Sequence, residues 1–363
     1  MNDSCSNSTH LHRDGSPVLS AFMFGAGVAG NAMALAILGV HRQALRAKSS
    51  AFVILATGLA ATDLLGTCFL SPAVFAAYAR NSSLLGLTRG PGLCQSFAFA
   101  MTFFGLASTL LLFAMAVERY LALSHPYLYA QHDPRRWARL ALPAAYTFGA
   151  AFCSLPFAGV GRHMQYCPGS WCFIQMETAD DDAAARAFSL AYAALVTLLV
   201  GATFLCNGSV TVSLCRMYRQ QRRRRGSLGP GRARRKSWFG TSWGETEVDH
   251  LVLLVAMTGI FAVCSLPLAI RGFIGGLAPG GSRSLKKDLI AFRFSAFNPI
   301  VDPWVFILFR KTVFRRLRQL LCCARAPPPT PKPPGLAFQP RPQGSDPLRP
   351  AGKAADTAPH PRG

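Results

Sequence analysis

Ser96–Val117 reads SFAFAMTFFGLASTLLLFAMAV and gives way at once to Glu118-Arg119-Tyr120. The run holds no Asp, Glu, Lys or Arg. A helix of that length extends about 33 Å, which matches a bilayer's hydrocarbon core of about 30 Å. A helix on a water-soluble protein would keep one charged face, and this run has none. Outward from it in both directions the same pattern returns. Pro17–Val40, Leu140–Val160, Ala187–Cys215 and Leu251–Ile270 are equally free of charge, Ala51–Ala79 holds only Asp63, and Leu289–Phe309 holds only Arg293 and Asp302. Seven spans are therefore expected, and with them an all-α membrane bundle.

Composition agrees. Of 363 residues 51% are hydrophobic and 15% charged, against about a quarter charged in ordinary soluble domains. The net charge of +22 would suit a nucleic-acid binder, but its distribution points elsewhere. Ten Lys/Arg fall between Arg216 and Lys236 without one acid, and Arg42, Arg46, Lys48, Arg135, Arg136 and Arg139 fall in the first and third connectors. In the alternate connectors the basic residues are partly balanced by Glu177, Asp180, Asp181, Asp182 and Asp288. Positive loops stay on the cytoplasmic side, so the amino terminus is expected outside, at the plasma membrane, with no nucleic-acid partner. The glycosylation acceptors Asn2, Asn7 and Asn81 lie on that same outer side, whereas Asn207 sits inside the fifth span and is expected to be silent. No cleaved signal peptide is read in residues 1–16.

The expected organisation is an outer amino terminus (1–16), a bundle (17–309), an amphipathic inner-surface helix (310–323) and a disordered tail (324–363). Val313, Phe314, Leu317, Leu320 and Leu321 alternate with basic residues, as in a helix lying on a membrane surface. Cys322 and Cys323 follow it and are expected palmitoylation sites, two free cysteines being the alternative.

Ionisable residues inside a span cost about 2.5–3.5 kcal/mol each, so each asks for a role. Asp63 lies about 18 Å from the inner end of its helix and Asp302 about 20 Å from the outer end of the seventh. Asn31, Ser108 and Asn298 have comparable depths. A shared pocket of acids and amides suits a sodium ion with waters or a protonated acid; a structural hydrogen-bond cluster is the alternative. Arg293 sits one turn inside the outer end of the seventh span, among Phe292, Phe294 and Phe297, with no acid at helical spacing. A guanidinium so placed grips a carboxylate or phosphate in a bidentate fashion, or else snorkels to the interface. Tyr78, at the outer end of the second span, can add a hydrogen bond. Glu118 and Arg119 can pair with each other or part, which is the two-state element of a switch.

LAATDL at 59–64, Glu118-Arg119-Tyr120 and DPWVF at 302–306 together resemble rhodopsin-like G-protein-coupled receptors over about residues 15–325. Asn31 and Pro267 match that family's first-helix amide and sixth-helix kink. Ser265 stands where most members have tryptophan, Asp302 where Asn is usual, before Pro303, and Phe306 where Tyr is usual. Those departures, with QYCPGSWCF at 165–173 and LIAFRF at 289–294, resemble the prostanoid receptors. The resemblance implies that Arg293 binds a lipid carboxylate, helped by Tyr78 and by Ser170, which stands where the family has Thr. It implies Met101, Trp171, Phe297 and Ser20 around the rest of the ligand. It also implies disulfides Cys94–Cys172 and Cys5–Cys167, coupling to Gs with cyclic AMP as output, and arrestin and receptor kinases as further partners. TGLAATD, FAMTFFGLAS and SLCRMYRQQ resemble one Gs-coupled subgroup, other Gs-coupled prostanoid receptors being the alternatives. That subgroup ends in a prenylation signal, whereas Pro361-Arg362-Gly363 offers no cysteine, so prenylation is not expected.

An organic-anion transporter is the competing class, and it would be expected to repeat itself in matching halves; no repeat is seen. An enzyme would need converging catalytic or metal-ligating groups, yet every histidine lies in a loop or terminus. Neither enzymatic activity nor a cofactor is expected.

Overall fold

The computed structural model describes residues 6–12, 16–44, 51–131, 133–176, 182–226, 256–277 and 285–309. These described residues all belong to one compact unit. The expected surface helix (310–323), Cys322, Cys323 and the tail lie outside the described residues, as do Asn2, Cys5 and residues 251–255 of the sixth span.

The long helices are α1 (Pro17–Ala44), α2 (Ala51–Ala79), α4 (Gly92–Ser124), α6 (Pro134–Cys153), α7 (Ala183–Gly226), α8 (Ala256–Leu277) and α9 (Leu285–Phe309), joined by the short α3 (Leu84–Thr88) and α5 (Pro126–Gln131). Six of the long helices are apolar and long enough to cross a membrane. The seventh, α9, carries Lys286, Lys287, Asp288, Arg293 and Asp302, and its charges are what set it apart. The exposed surface is apolar, with Phe22, Phe69, Leu198 and Leu205 all turned outward. Such a surface is stable only against lipid, which offers no hydrogen bonds; the helices satisfy their own backbones.

Several helices run past the apolar stretches that announced them. The fourth span, expected over Leu140–Val160, starts six residues earlier: the Asp133 side chain accepts from the Arg135 amide at 3.0 Å, and Pro134 opens the helix. It ends at Cys153, because Pro156 lacks the amide that would continue it, and a 3-10 turn over Leu155–Ala158 takes its place. The fifth, expected over Ala187–Cys215, begins at Ala183 behind the Asp182 carboxylate, which accepts from the Ala185 amide, and runs on to Gly226. Arg, Gln and Met are good helix formers, so nothing stops it at the edge of the apolar run.

α4 is the central helix, packing against α2, α6 and α7. Polar side chains pin the bundle across its interior. Asn31 Nδ2 donates to the Pro299 carbonyl at 2.8 Å and Trp304 Nε1 to that of Ala26 at 3.2 Å, tying α1 to α9. Thr62 and Tyr146 bond at 2.8 Å between α2 and α6. Asn207 donates to Thr258 at 2.6 Å between α7 and α8, so the acceptor motif at 207 is buried in a helix contact.

At one end of the bundle β1 (His163–Tyr166) and β2 (Trp171–Ile174) form an antiparallel hairpin, pairing His163 with Ile174 and Tyr166 with Trp171. Its turn needs Gly169, whose φ is +104°, and a Cβ added there would lie 3.0 Å from that of Ser83. Cys172 of β2 is bonded to Cys94 at the start of α4. Cys167 is also disulfide-bonded. Residues 8–12 lie over the hairpin: the Ser83 amide donates to Thr9, the His12 amide to Pro168, and Gln165 Nε2 to the Ser8 carbonyl at 3.0 Å.

Candidate functional site

Beneath the hairpin the helices enclose a cavity of about 150 Å3, lined from α1, α2, α4, α7, α8, α9 and β2. Its walls are largely apolar: Met23, Phe24, Val74, Phe97, Met101, Phe104, Trp171 and Phe173. Phe24 and Phe75 meet edge to face with centroids 5.5 Å apart, and Phe97 does the same with Trp171 at 6.3 Å. The floor is polar. Asp63, Ser108, Ser265 and Asn298 all reach it. An elongated amphiphile fits such a space, with its chain against aromatic walls and its oxygens toward a few fixed polar groups.

Of the residues singled out for the ligand, Ser20, Met101 and Trp171 line the cavity. Tyr78 and Ser170 stand at its hairpin rim, one turn beyond Val74 and one residue before Trp171, with hydroxyls 3.5 Å apart. Arg293 is not part of the lining; it stands two residues before the lining Ser295, half-buried, with no bonding partner among the described residues. Phe297 is not part of the lining. Nor do the aromatics beside Arg293 gather around it. Phe292 is buried against Tyr166 and Phe173, at 4.6 and 4.9 Å between centroids, while Phe294 is 40% exposed. Neighbours on a helix point about 100° apart, so adjacency in sequence does not make a cage.

The floor groups are only partly united. Ser108 donates to Asp63 Oδ1 at 2.6 Å, and Asn298 donates to Ser265 at 2.8 Å, which joins α8 to α9. Asp302 is buried too, one turn beyond Asn298 on α9. Asn31 turns instead to the Gly27 and Pro299 carbonyls and serves the α1–α9 contact. Asp63 Oδ2, Asp302 Oδ2 and Asn298 Oδ1 are buried without a hydrogen-bond partner.

At the opposite end Glu118 is 1% exposed and accepts three bonds: from Arg119 Nε at 2.5 Å, Arg119 Nη2 at 3.0 Å and the Tyr129 hydroxyl of α5 at 2.7 Å. Burial and the bond to Glu118 hold the Tyr129 phenol above its usual pKa, so it remains a donor. The Arg119 guanidinium also lies 4.4 Å from the Phe52 ring centroid. Tyr120 bonds His125 at 3.0 Å. Pro267 lies within α8 and Pro303 within α9; the Phe306 side chain falls outside the described residues.

Two pairs escaped the sequence reading. Tyr129 could not be found from sequence, because its partner is eleven residues away across a helix break. Arg271 Nε donates to Asp288 Oδ1 between α8 and α9. Its signal was an arginine directly following an uncharged run, with Asp288 directly before the next one.

Residues 30–306 match the family described as 7 transmembrane receptor (rhodopsin family). The chain is 64% identical over 331 residues to the prostacyclin receptor of Bos taurus, covering 90% of this chain and 82% of the relative. It is 65% identical over 324 residues to that of Homo sapiens, covering 89% and 80%. To the prostaglandin E2 receptor, EP2 subtype, of Canis lupus familiaris it is 45% identical over 333 residues, covering 88% and 89%.

Proposed function

The chain belongs to the rhodopsin family of seven-transmembrane receptors, and we propose that within it the protein is a plasma-membrane receptor for prostacyclin that activates Gs. It is a multi-pass membrane receptor and not an enzyme. The observation that carries the ligand is graded similarity: 64–65% identity to two prostacyclin receptors against 45% to a receptor for another prostanoid, over nearly the same length.

The hairpin end faces outside the cell. Supporting this, the disulfide Cys94–Cys172 and the exposed acceptors Asn7 and Asn81 share that end, and an oxidising, glycosylating compartment suits both. Arg135, Arg136, Arg139, Arg216 and Arg219 lie at the other end.

The ligand carboxylate is held by Arg293 in a bidentate grip, with Tyr78 and Ser170 adding hydroxyls at the rim. What supports this is a half-buried guanidinium that no acid within the described residues neutralises. The ring and chains lie along Met101, Trp171 and the aromatic walls. Asp63 and Asn298 at the floor, with Asp302 buried one turn further along α9, offer oxygens that fit a sodium ion with its waters, and a cation there would favour the arrangement in which these groups stay together.

An agonist shifts the receptor only by binding its active arrangement more tightly than the inactive one. The rim anchors serve both arrangements. Discrimination falls to the floor, where Asn298 and Ser265 couple the cavity to α8 and α9. Movement of α8 about Pro267 would free Arg119 from Glu118 and open the inner face to the G protein.

The test is cyclic AMP in cells expressing the chain, across stable analogues of prostacyclin and of prostaglandins E and D. A response led by the prostacyclin analogue is expected. One led by another prostanoid would overturn the subtype alone; silence from receptor shown at the surface would overturn the ligand or the Gs coupling.

A further inference from the structure

Seven serine and threonine hydroxyls line the cavity, and they divide sharply in what they do. Thr67 and Thr109 donate to the carbonyls of Asp63 and Gly105, at 2.7 and 2.8 Å. Ser108 donates to Asp63 and Ser265 accepts from Asn298. These four are spent within the fold. Ser20, Ser71 and Ser295 have no hydrogen bond to any described residue. A helical serine can always turn back to the carbonyl one turn earlier, as nearly every threonine in these helices does. Ser189 on α7 is unpaired too, but away from the cavity; these three all face one apolar-walled space, where their hydroxyls are available to whatever enters it.

Their heights can be placed from one contact. Gly27, Thr67 and Ile300 meet at a single level, the space at Gly27 being bounded by those two side chains at 3.4 Å. From that level toward the hairpin, Ser71 is four residues along α2 and Ser295 five along α9, or about 6 and 7.5 Å at helical rise. Ser20 and Arg293 are each seven residues away, about 10 Å. Ser71 and Ser295 thus form a layer roughly 3–4.5 Å deeper than Arg293, on the two helices that flank α1 at this level.

We infer that Ser71 and Ser295 are specificity-determining residues, which read an oxygen on the ring region of the lipid whose carboxylate Arg293 holds. The inference rests on the carboxylate reading of Arg293 and adds which side chains discriminate among ring-bearing acids by the position of a ring oxygen. Ser20 belongs to the rim, level with the carboxylate. The physics is one of omission. A ligand lacking the oxygen leaves two hydroxyls desolvated and unpaired, whereas an apolar wall would accept either ligand.

The experiment is competition binding on membranes carrying the full chain, with surface amount measured separately. The variants are Ser71→Ala, Ser295→Ala, the double variant, Ser295→Thr and Arg293→Ala. The probes are a stable prostacyclin analogue and a series of its derivatives, each lacking one ring oxygen or hydroxyl. The double variant should lose roughly tenfold in affinity for the parent probe and nothing for the derivative lacking the contacted oxygen. Ser295→Thr keeps the hydroxyl and should keep the preference. Equal losses on every probe would mean the serines only pack, and no loss would mean they face nothing; either overturns the inference. If Arg293→Ala abolishes binding while the serine variants change nothing, this inference alone fails. If Arg293→Ala binds as before, the carboxylate reading fails and takes this one with it.

Discussion

Arg271 on α8 and Asp288 on α9 are joined at 2.5 Å, with 11% of one side chain and 2% of the other exposed. The next residue, Gly272, lies against Ala193 of α7, and Gly276 against Leu190. The hairpin end of α8 is thereby held on both sides, by a charge on one and by bare backbone contact on the other. Small residues permit that approach between membrane helices.

Removing one partner of a buried pair strands the other, at a cost of about 3–5 kcal/mol. Asp288→Ala should therefore lower the melting temperature of detergent-solubilised receptor strongly. Arg271→Met with Asp288→Leu should be milder than Asp288→Ala alone. Simple addition of the single effects would show that the two charges do not act as a pair.

Arg293→Ala should reach the cell surface and lose agonist affinity by about 1.5–3 kcal/mol, the range for a hydrogen bond to a charged group. Arg293→Lys should recover part of this, because an ammonium keeps the charge and loses the fork. Radioligand saturation beside surface staining separates the two quantities. Wild-type affinity in the alanine variant would remove the carboxylate assignment.

The three bonds on Glu118 hold α4, α5 and Arg119 in one arrangement. Tyr129→Phe deletes one bond and leaves the ring, so basal cyclic AMP should rise modestly. Glu118→Gln weakens all three by removing the charge and should raise it further. The ordering of the two variants is the prediction, and a reversed order would count against the lock.

Asn207 and Thr258 tie α7 to α8 on the stretch that must part if α8 swings about Pro267. Thr258→Val leaves the Asn207 amide buried without that acceptor, costing about 1–3 kcal/mol. The loss falls on the closed arrangement, so basal signalling should increase while thermal stability without agonist declines. Unchanged basal signalling would place this contact outside the moving interface.

Gly169→Val asks a branched residue to hold φ of +104° against Ser83. The hairpin turn and residues 8–12 above it should loosen, giving less binding-competent receptor at equal synthesis. Gly39→Ala, where an added Cβ meets nothing, is the control and should behave as wild type.

Much of this molecule could be read in advance because a bilayer imposes a simple rule on sequence. A span must be apolar for about 20 residues, so the long uncharged runs disclosed the helices, and Asp63, Arg293 and Asp302 stood out against them. The residues of the Glu118–Arg119 pair were legible for the same reason. Helix ends were less so. Asp133 and Asp182 cap helices outside the apolar runs, and hydropathy does not register a cap.

The class of fold, the family and the charged side chains that needed a purpose were all legible one-dimensionally, because each follows from residue type and spacing along one chain. Which groups meet was settled by packing in three dimensions. It sent Asn31 to the Pro299 carbonyl and not to Asp63, gave Glu118 a partner in Tyr129, set Phe292 against the hairpin and not around Arg293, and left Ser71 and Ser295 unpaired in the cavity. Those outcomes depend on the rotation of each helix about its axis and on its height beside its neighbours. In an apolar solvent nearly every face of a span is hydrophobic, so periodicity does not reveal which face turns inward; packing and a few buried hydrogen bonds decide it.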